Sequence, residues 1–458
     1  MNDSAPGHHQ TPTLHGASGT DDPGPVDVLG VGFGPSNLGL AIAAAEYNAE
    51  HAGPPLTLGF VERQHRFGWH TGMLLPRTTM QISFLKDLVT QRNVHSRYSF
   101  LSYLAAQGRL IDFVNHQTFF PTRHEFHDYL EWAARTVGAA VTYATTATAV
   151  RPVDDHFEVT LAGVGAGVVR ARNVVVSTGL TARLPEGVTP SVRVFHNHDL
   201  LGRLADLPTP RHGRFVVLGA GQSAAETVEY LHSTHPDAEV HAVFAKYGYS
   251  PADDSPYANR IFDPSAVDDF HSSTPDFRRR LMSYHRATNY SAVDLPLIEE
   301  LYAREYAERV SGERRLFMHG ASRALRVDDR GDGVVVTVAH EPTGLTEDLV
   351  CDAVVCATGF HQMDLGAVLG DLAADVVTED GGPAVTRDYR LITRTATTEG
   401  SIYLQGGTEH THGISSSLLS NVAVRTGEIV RAVARDRASS GRTPTARAAA
   451  HGADAVGG

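Results

Sequence analysis

Short, wholly apolar runs alternate with longer amphipathic stretches along this chain. Residues 26–31 (VDVLGV) read as a buried strand, 37–47 as a helix and 56–61 as a second strand. The same order returns at 215–218, 223 to about 232, and 240–244. Residues 173–177 and 353–356 are further short apolar strands, each followed by Thr-Gly, at Thr178-Gly179 and Thr358-Gly359. Strand–helix–strand units with short apolar strands predict doubly wound parallel sheets. The run ending at Phe360 is expected to complete the first sheet after a second domain has been inserted. Two stretches break the rhythm, residues 63–120 and 246–315. Both are rich in polar and aromatic positions, as expected of insertions that build a site on a scaffold. Residues 1–25 and 436–458, dominated by small and polar types, cannot repay the entropy of ordering and are expected to be disordered.

The turns after the two leading strands carry the first chemical signal. Gly32-Phe33-Gly34-Pro35-Ser36-Asn37 follows the first strand and opens the first helix. One glycine makes the tight turn, and the next lets the backbone approach a pyrophosphate at the helix N-terminus. Asn37 stands where a third glycine is usual. Glu62 closes the next strand, where a carboxylate accepts hydrogen bonds from a ribose. The second turn is Gly219-Ala220-Gly221-Gln222-Ser223-Ala224, with Ala224 still small enough for close helix–strand packing. The strand after it ends in Phe244-Ala245-Lys246. No acid there repels a 2′-phosphate and Lys246 attracts one, which favours NADP over NAD. Two such turns imply two dinucleotide domains. FAD in the first and NADPH in the second is the economical assignment, because flavin relays a hydride that two nicotinamides cannot usefully exchange. The expected class is α/β, with two Rossmann-like domains, the second inserted into the first, and a small, mostly helical substrate region. Its divisions are 26–205 for FAD, 206–350 for NADPH, and 351–435 for the return to the FAD domain and a C-terminal helix.

Composition narrows the partners. The 458 residues carry 39 Lys and Arg against 52 Asp and Glu, a net charge of −13 with no basic run. Such a chain is a poor binder of nucleic acid or anionic membrane. No apolar run reaches the ~18 residues of a spanning helix. The first residues lack the basic and apolar regions of a signal peptide, so a cytoplasmic location is expected. Cys351 and Cys356 have the spacing of a redox pair. On one strand they would point to opposite faces ~16 Å apart, beyond the ~7 Å a disulfide tolerates. Ser83-x-x-Lys86 lacks the companion motifs of acyl transfer. His410-Thr-His412 has no third ligand at suggestive spacing, and no metal site is expected.

The remaining motifs fit one family. They are Met80-Gln81-Ile-Ser-Phe-Leu-Lys86-Asp-Leu-Val-Thr, Asp254-Ser-Pro-Tyr-Ala-Asn259, Asn289-Tyr290-Ser291, the ATGF strand, and Thr411-His-Gly followed by Ser417-Leu-Leu-Ser420. From about Val26 to Arg431 the chain resembles the flavin-dependent N-hydroxylating monooxygenases, specifically the L-ornithine N(5)-monooxygenases that make hydroxamate siderophore precursors. The resemblance implies NADPH- and oxygen-dependent hydroxylation of the ornithine side-chain amine through a C(4a)-hydroperoxyflavin. It implies that Gly32, Gly34, Pro35, Ser36, Asn37, the run Glu62 to His70 with Arg63 and Trp69, Gln81, Ser417 and Leu418 meet FAD. Gly219, Gly221, Gln222, Ser223, Lys246, Asn289, Tyr290 and Ser291 would meet NADPH. Lys86 would bind the ornithine carboxylate, and Asn259 and Asn289 its polar ends, with Ser420 nearby. The family pattern also suggests a homotetramer. Two positions depart from it: Ser416 replaces an Asp, and Ala245-Lys246 replaces Arg-Asp. No protein nucleophile is required, so no Ser/His/Asp or Cys/His set is expected. The rival readings are a lysine N(6)-hydroxylase on the same scaffold and a dinucleotide-sensing protein without catalysis. The sensor leaves the Lys86, Asn259 and Asn289 segments without purpose.

Overall fold

The computed structural model describes residues 24–395 and 398–440. The leading strand Val26–Val31 lies in a seven-stranded sheet, parallel to Leu58–Val61 on one side and to Gly167–Val176 on the other. Gly167–Val176 changes partners along its length. Residues 167–171 pair antiparallel with His156–Gly163, which pairs with Thr145–Val153, while residues 174–176 lie parallel to Ile402–Leu404. Burial follows the same division. Arg170 and Arg172 mark a half with a wetter face, and the run Asn173–Val176 is buried on both sides, as a parallel interior strand requires. The apolar run expected at 173–177 is thus the buried end of a longer strand.

The second sheet has five parallel strands in the order Leu316–His319, Glu239–Val243, Arg214–Leu218, Ala353–Cys356, Val194–His196. A three-stranded antiparallel meander, Ser322–Asp329, Val334–His340 and Leu345–Cys351, runs into it through Asp352. Both sheets therefore repeat one plan: a glycine-turn strand beside a parallel strand that leaves a meander and ends near Thr-Gly. The contact is backbone on backbone. A Cβ on Gly32 (φ +87°) would lie 2.4 Å from the Ser177 carbonyl oxygen, and one on Gly219 (φ +142°) 2.2 Å from that of Ala357.

This arrangement corrects two expectations. Ala353–Cys356 does not complete the first sheet; it is the inner neighbour of the second glycine-turn strand, and Ile402–Leu404 closes the first sheet instead. The divisions expected at 205/206 and 350/351 consequently separate Val194–His196 and Ala353–Cys356 from the sheet to which they belong. A four-residue apolar run carries no record of which sheet it will join. Cys351 and Cys356 also fall on two strands, broken at Asp352, and pack into one apolar cluster with Val334 and Val354 rather than on opposite faces. Both are free, and burial pushes each thiol up to about 12.

The first helix, Pro35–Glu50, starts with Pro in its first turn, where a missing N–H costs nothing. Its residues 37–44 are all buried, and Gly39 admits the C-terminal helix Val422–Ser440, whose Val422 Cγ1 would lie 2.8 Å from an added Cβ. The tail expected to be disordered from 436 is helical to Ser440; 441–458, like 1–23, fall outside the described residues. Of the two insertions, 63–120 is a run of turns before helices Phe100–Ala106 and Leu110–His116. Its Phe84, Phe100 and Phe113 join Phe126 and Tyr129 in an aromatic cluster. The other holds Ala266–Ser272, Pro275–Tyr284 and the crossover helix Leu295–Ser311. No helix among the described residues is long and apolar enough to cross a membrane.

Asp352 holds the junction of meander and sheet. Buried, it accepts the backbone N–H groups of Arg211 (2.6 Å), His212 (3.1 Å) and Arg214 (3.2 Å). These bonds hold its carboxyl below the usual range although burial opposes them. Asp352→Ala should lower unfolding stability by roughly 3 kcal/mol, the scale of stranding buried donors of a charged acceptor, as read by denaturant melts. With its folded pKa depressed, the wild-type contribution is present above the unfolded-state pKa and is lost as pH falls through the folded one.

Candidate active site

The two glycine turns face one cleft of about 2770 Å³. A single small-molecule pocket is usually ~300–1,000 Å³, so this cleft has room for more than one ligand. Of the residues expected to bind FAD, NADPH or substrate, all line it except Asn37 and, within the run Glu62 to His70, His65, Arg66 and Phe67. Asn37 is fully buried with its side chain turned inward. Its amide donates to the Gly32 carbonyl (2.7 Å) and accepts from Gln405 Nε2 (2.9 Å). It is therefore corrected from a dinucleotide contact to a brace of the turn, supplying by hydrogen bonds what a third glycine supplies by close packing.

On the first-turn side, Gly34 caps the helix and an added Cβ would meet no protein atom within 4 Å. The wall is left open to a ligand. Glu62 is held facing the turn: Oε2 accepts from Phe33 N (2.6 Å) and Oε1 from Gln64 N (2.8 Å). Arg63 and Trp69 follow along the wall. His70, in the left-handed region (φ +50°), lines the cleft beside Trp69 and His198 and is exposed to it. Desolvation by the cleft walls, then the charges of His198 and Arg123, lower its pKa. On the facing wall Ser417 lines the cleft, and behind it the buried hydroxyl of Ser416 and both amide atoms of Asn421 lack hydrogen-bond partners. Buried polar atoms are rarely left so. The glycine turn and the carboxylate at the end of the next strand together fit FAD.

On the second-turn side, Gln222 and Ser223 begin the helix Gln222–Thr234 behind Gly221. Lys246 does not reach free into solvent; its Nζ donates to the Ser291 carbonyl (2.5 Å). Ser291 (φ +56°) lies against the turn, its Cα 3.7 Å from a Cβ placed on Gly221. Next to it the Tyr290 hydroxyl donates to Glu409 Oε1 (2.5 Å), and burial raises both pKa values. The segment Asn289 to Ser291 is thus pinned at Tyr290 and at Ser291.

Lys86 lies half-buried in the run of turns, its Nζ 5.5 Å from the Phe262 ring centroid. Burial lowers its pKa, opposed by Asp263. Asn259, on the short turn Ala258–Phe262, donates to the Asp254 carbonyl (2.7 Å). Ser420 is buried in the Ser417 loop. These groups come from distant segments and converge on the same cleft.

Sequence reasoning missed the residue that ties the two sides together. Asp294 precedes a Leu-Pro helix start and reads as an ordinary N-cap. Yet its carboxylate caps nothing. It accepts instead from Gln81 Nε2 (3.2 Å) and Gln222 Nε2 (3.2 Å), while its own N–H donates to Gln222 Oε1 (2.8 Å). Burial raises its pKa, with the Gln81 bond opposing. Beside it Arg123 forms a two-pronged pair with Glu226 (2.9 and 2.8 Å). The segment of one expected FAD contact and the helix of the second turn are so clasped across the cleft.

Two dinucleotide turns on one cleft, one backed by a carboxylate and the other by a lysine, define a two-nucleotide flavoprotein oxidoreductase. The family model for L-lysine 6-monooxygenase/L-ornithine 5-monooxygenase matches residues 24–362, and the chain belongs to this family. It is 40% identical over 405 residues to an L-ornithine N(5)-monooxygenase of Burkholderia cepacia, covering 84% of this chain and 89% of that one. Its structure is similar to the ornithine N-hydroxylase of Kutzneria sp. 744, solved with reduced FAD, NADP+ and L-ornithine. The TM-score is 0.86 at 46% identity, covering 90% of this chain and all of the other. An L-lysine 6-monooxygenase of Pseudomonas syringae matches with TM-score 0.79 and 34% identity over 90% of this chain and 99% of that one. The chain is an FAD- and NADPH-dependent N-hydroxylating monooxygenase.

Asp294→Ala should slow flavin reduction by NADPH roughly tenfold, the rate equivalent of about 1.4 kcal/mol, with FAD content unchanged. Stopped-flow reduction against bound-flavin absorbance reads both. An unaltered reduction rate would make the clasp incidental.

Proposed function

We propose that this chain converts L-ornithine to N(5)-hydroxy-L-ornithine, for a hydroxamate siderophore or another peptide natural product. The convergence of Lys86, Asn259, Asn289 and Ser420 on the cleft that holds both turns carries this reading. FAD, held by the first turn, Glu62, the wall Arg63 to His70 and the Ser417-Leu418 loop, supplies the oxygen-activating chemistry when reduced by NADPH. The protein's part is binding, orientation and exclusion of water.

Lys86 pairs with the substrate carboxylate, its charge kept close by the flanking Phe262 ring. Asn259 and Asn289 receive the polar groups of the substrate without adding charge. That matters because the attacking amine must be neutral. An alkylamine of pKa ~10.4 stands ~2.4 units from neutrality at pH 8, a cost of about 3.3 kcal/mol. Amide partners in a desolvated pocket reduce the cost, whereas a carboxylate would stabilise the cation. Lys246 and the Tyr290–Glu409 bond hold the Asn289 to Ser291 segment over the second turn, where it retains the nicotinamide coenzyme.

Lysine is the competing substrate, and one methylene is worth ~1–3 kcal/mol in a fitted pocket. An amine panel read by a hydroxylamine-specific assay tests the choice: ornithine should lead, and a lysine product in excess would overturn it. We place the protein in the cytoplasm, where NADPH is supplied, as a homotetramer by family resemblance. Light scattering of the purified protein checks the latter.

Lys86→Ala should raise the ornithine KM by roughly 10- to 150-fold, matching the ~1.5–3 kcal/mol of a charge-assisted bond. FAD content and NADPH reduction should hold, with hydrogen peroxide replacing hydroxylated product. Lost FAD with an unchanged KM would refute the assignment. The lowered Lys86 pKa fixes a pH limb as well. The ammonium is present below that pKa and lost above it, so KM should climb with alkalinity earlier than an ordinary lysine allows. Lys86→Met should abolish that limb. At the second turn, NADPH should exceed NADH in kcat/KM for flavin reduction, and Lys246→Glu should narrow the ratio; equal use by wild type would contradict the reading of the strand end.

A further inference from the structure

Arg425, on the helix Val422–Ser440, is 1% exposed and forms no ion pair among the described residues. Every hydrogen bond it makes goes to a neutral oxygen: the Ser416 carbonyl (2.5 Å), Ser36 Oγ (3.2 Å) and Gln405 Oε1 (3.5 Å). The nearest carboxylate of the same helix, Glu428, is engaged by both terminal nitrogens of Arg387 (3.1 Å each). Tyr389 also faces the guanidinium, but burial pushes that phenol up to about 12 and leaves it uncharged. A buried cation without a counter-charge is costly, and folded chains rarely retain one without compensation from elsewhere.

The contacts of Arg425 show where that compensation enters. Ser36 belongs to the first glycine turn. Gln405, Arg425's other side-chain partner, donates to the Ser36 carbonyl (3.3 Å) and to Asn37, which holds the Gly32 carbonyl. Ser36, Gln405 and Gly32 all line the cleft, whereas Arg425 stands behind them. Ser416, whose hydroxyl is among the orphaned buried atoms, meets Arg425 through its backbone carbonyl. We propose that Arg425 is a positioning residue for the cofactor: its uncompensated buried charge, set behind Ser36, is the counter-charge for the FAD diphosphate at the first turn. This rests on the reading of that turn as the FAD site. A diphosphate is favoured over the flavin ring as the anion because Ser36 lies at the helix N-terminus, where glycine turns take phosphate. The field of a cation in a low-dielectric wall reaches it without direct contact.

The test compares FAD with riboflavin, which lacks the phosphates, on the full-length apoprotein. Arg425→Met should weaken FAD roughly tenfold or more and leave riboflavin within twofold, both read by flavin fluorescence. The apoprotein Tm of Arg425→Met should equal or exceed that of wild type, since an unpaired charge has been removed, while the rise in Tm on adding FAD should shrink. Arg425→Lys, keeping the charge, should retain the wild-type preference for FAD over riboflavin. Equal weakening of FAD and riboflavin, or an apoprotein Tm lowered as far as that of the FAD-bound form, would make Arg425 a structural strut and overturn the proposal. Should the Met variant not fold, Arg425→Gln, which removes the charge but keeps a hydrogen-bond donor, decides: a loss of FAD affinity without loss of riboflavin affinity supports it, and an unchanged ratio refutes it. Wild type that bound no FAD would instead overturn the reading of the turn itself.

Discussion

Both halves of the molecule depend on one contact, the close approach of a glycine in a tight turn to the carbonyl at the end of a neighbouring strand. Gly32 against Ser177 and Gly219 against Ala357 leave no space for a β-carbon. Each contact sets the turn at the carboxyl edge of its sheet, which is where an open α/β sheet accepts ligands. Because the two sheets repeat the plan, the two turns can be brought to face each other across one cleft. Everything chemical in the protein is then a matter of what the insertions and the Ser417 loop deliver into that space.

What they deliver is polar but sparing in paired charge at the reactive end. The clasp through Asp294 and the Arg123–Glu226 pair are set to the side, joining the walls. The groups assigned to the substrate are a lysine softened by burial, two amides and a hydroxyl. An enzyme that relied on its own nucleophile would show a triad of mutually bonded acid, base and nucleophile. A protein that lends oxygen chemistry to a cofactor needs an amine kept neutral and a site kept dry, and the distribution of charge here meets that need.

Much of this was legible in the chain. The glycine turns, their strands and Glu62 were readable because backbone geometry forces particular residue types at fixed offsets. Lys86, Asn259 and Asn289 are singled out only through family resemblance, since a lysine in a polar loop or an asparagine in a turn carries no signal of its own. Asn37 was misplaced because its position in the motif marks the dinucleotide turn, while its side-chain direction is decided by Gln405, far along the chain. The strand Ala353–Cys356 was assigned to the wrong sheet for the same reason: parallel pairing is a long-range choice, and an apolar tetrapeptide fits any interior. Asp294 hid behind an ordinary N-cap signal.

The setting of Asn37 also bears on how the protein would hold its cofactor. Asn37, Gln405, Arg425 and Ser416 form a polar layer between the first helix, the last helix and the cleft, in a region otherwise packed with Val, Ala and Leu. Such a layer weakens an isolated core, because each buried polar atom must find a partner. Here part of it finds none within the protein, as the bare hydroxyl of Ser416 shows. A ligand that completes the layer binds the folded chain and has nothing to bind in the unfolded one, so its affinity appears directly as stability. With FAD at the first turn as proposed, the polar layer couples retention of the dinucleotide to the integrity of the fold, and it does so through residues drawn from opposite ends of the sequence.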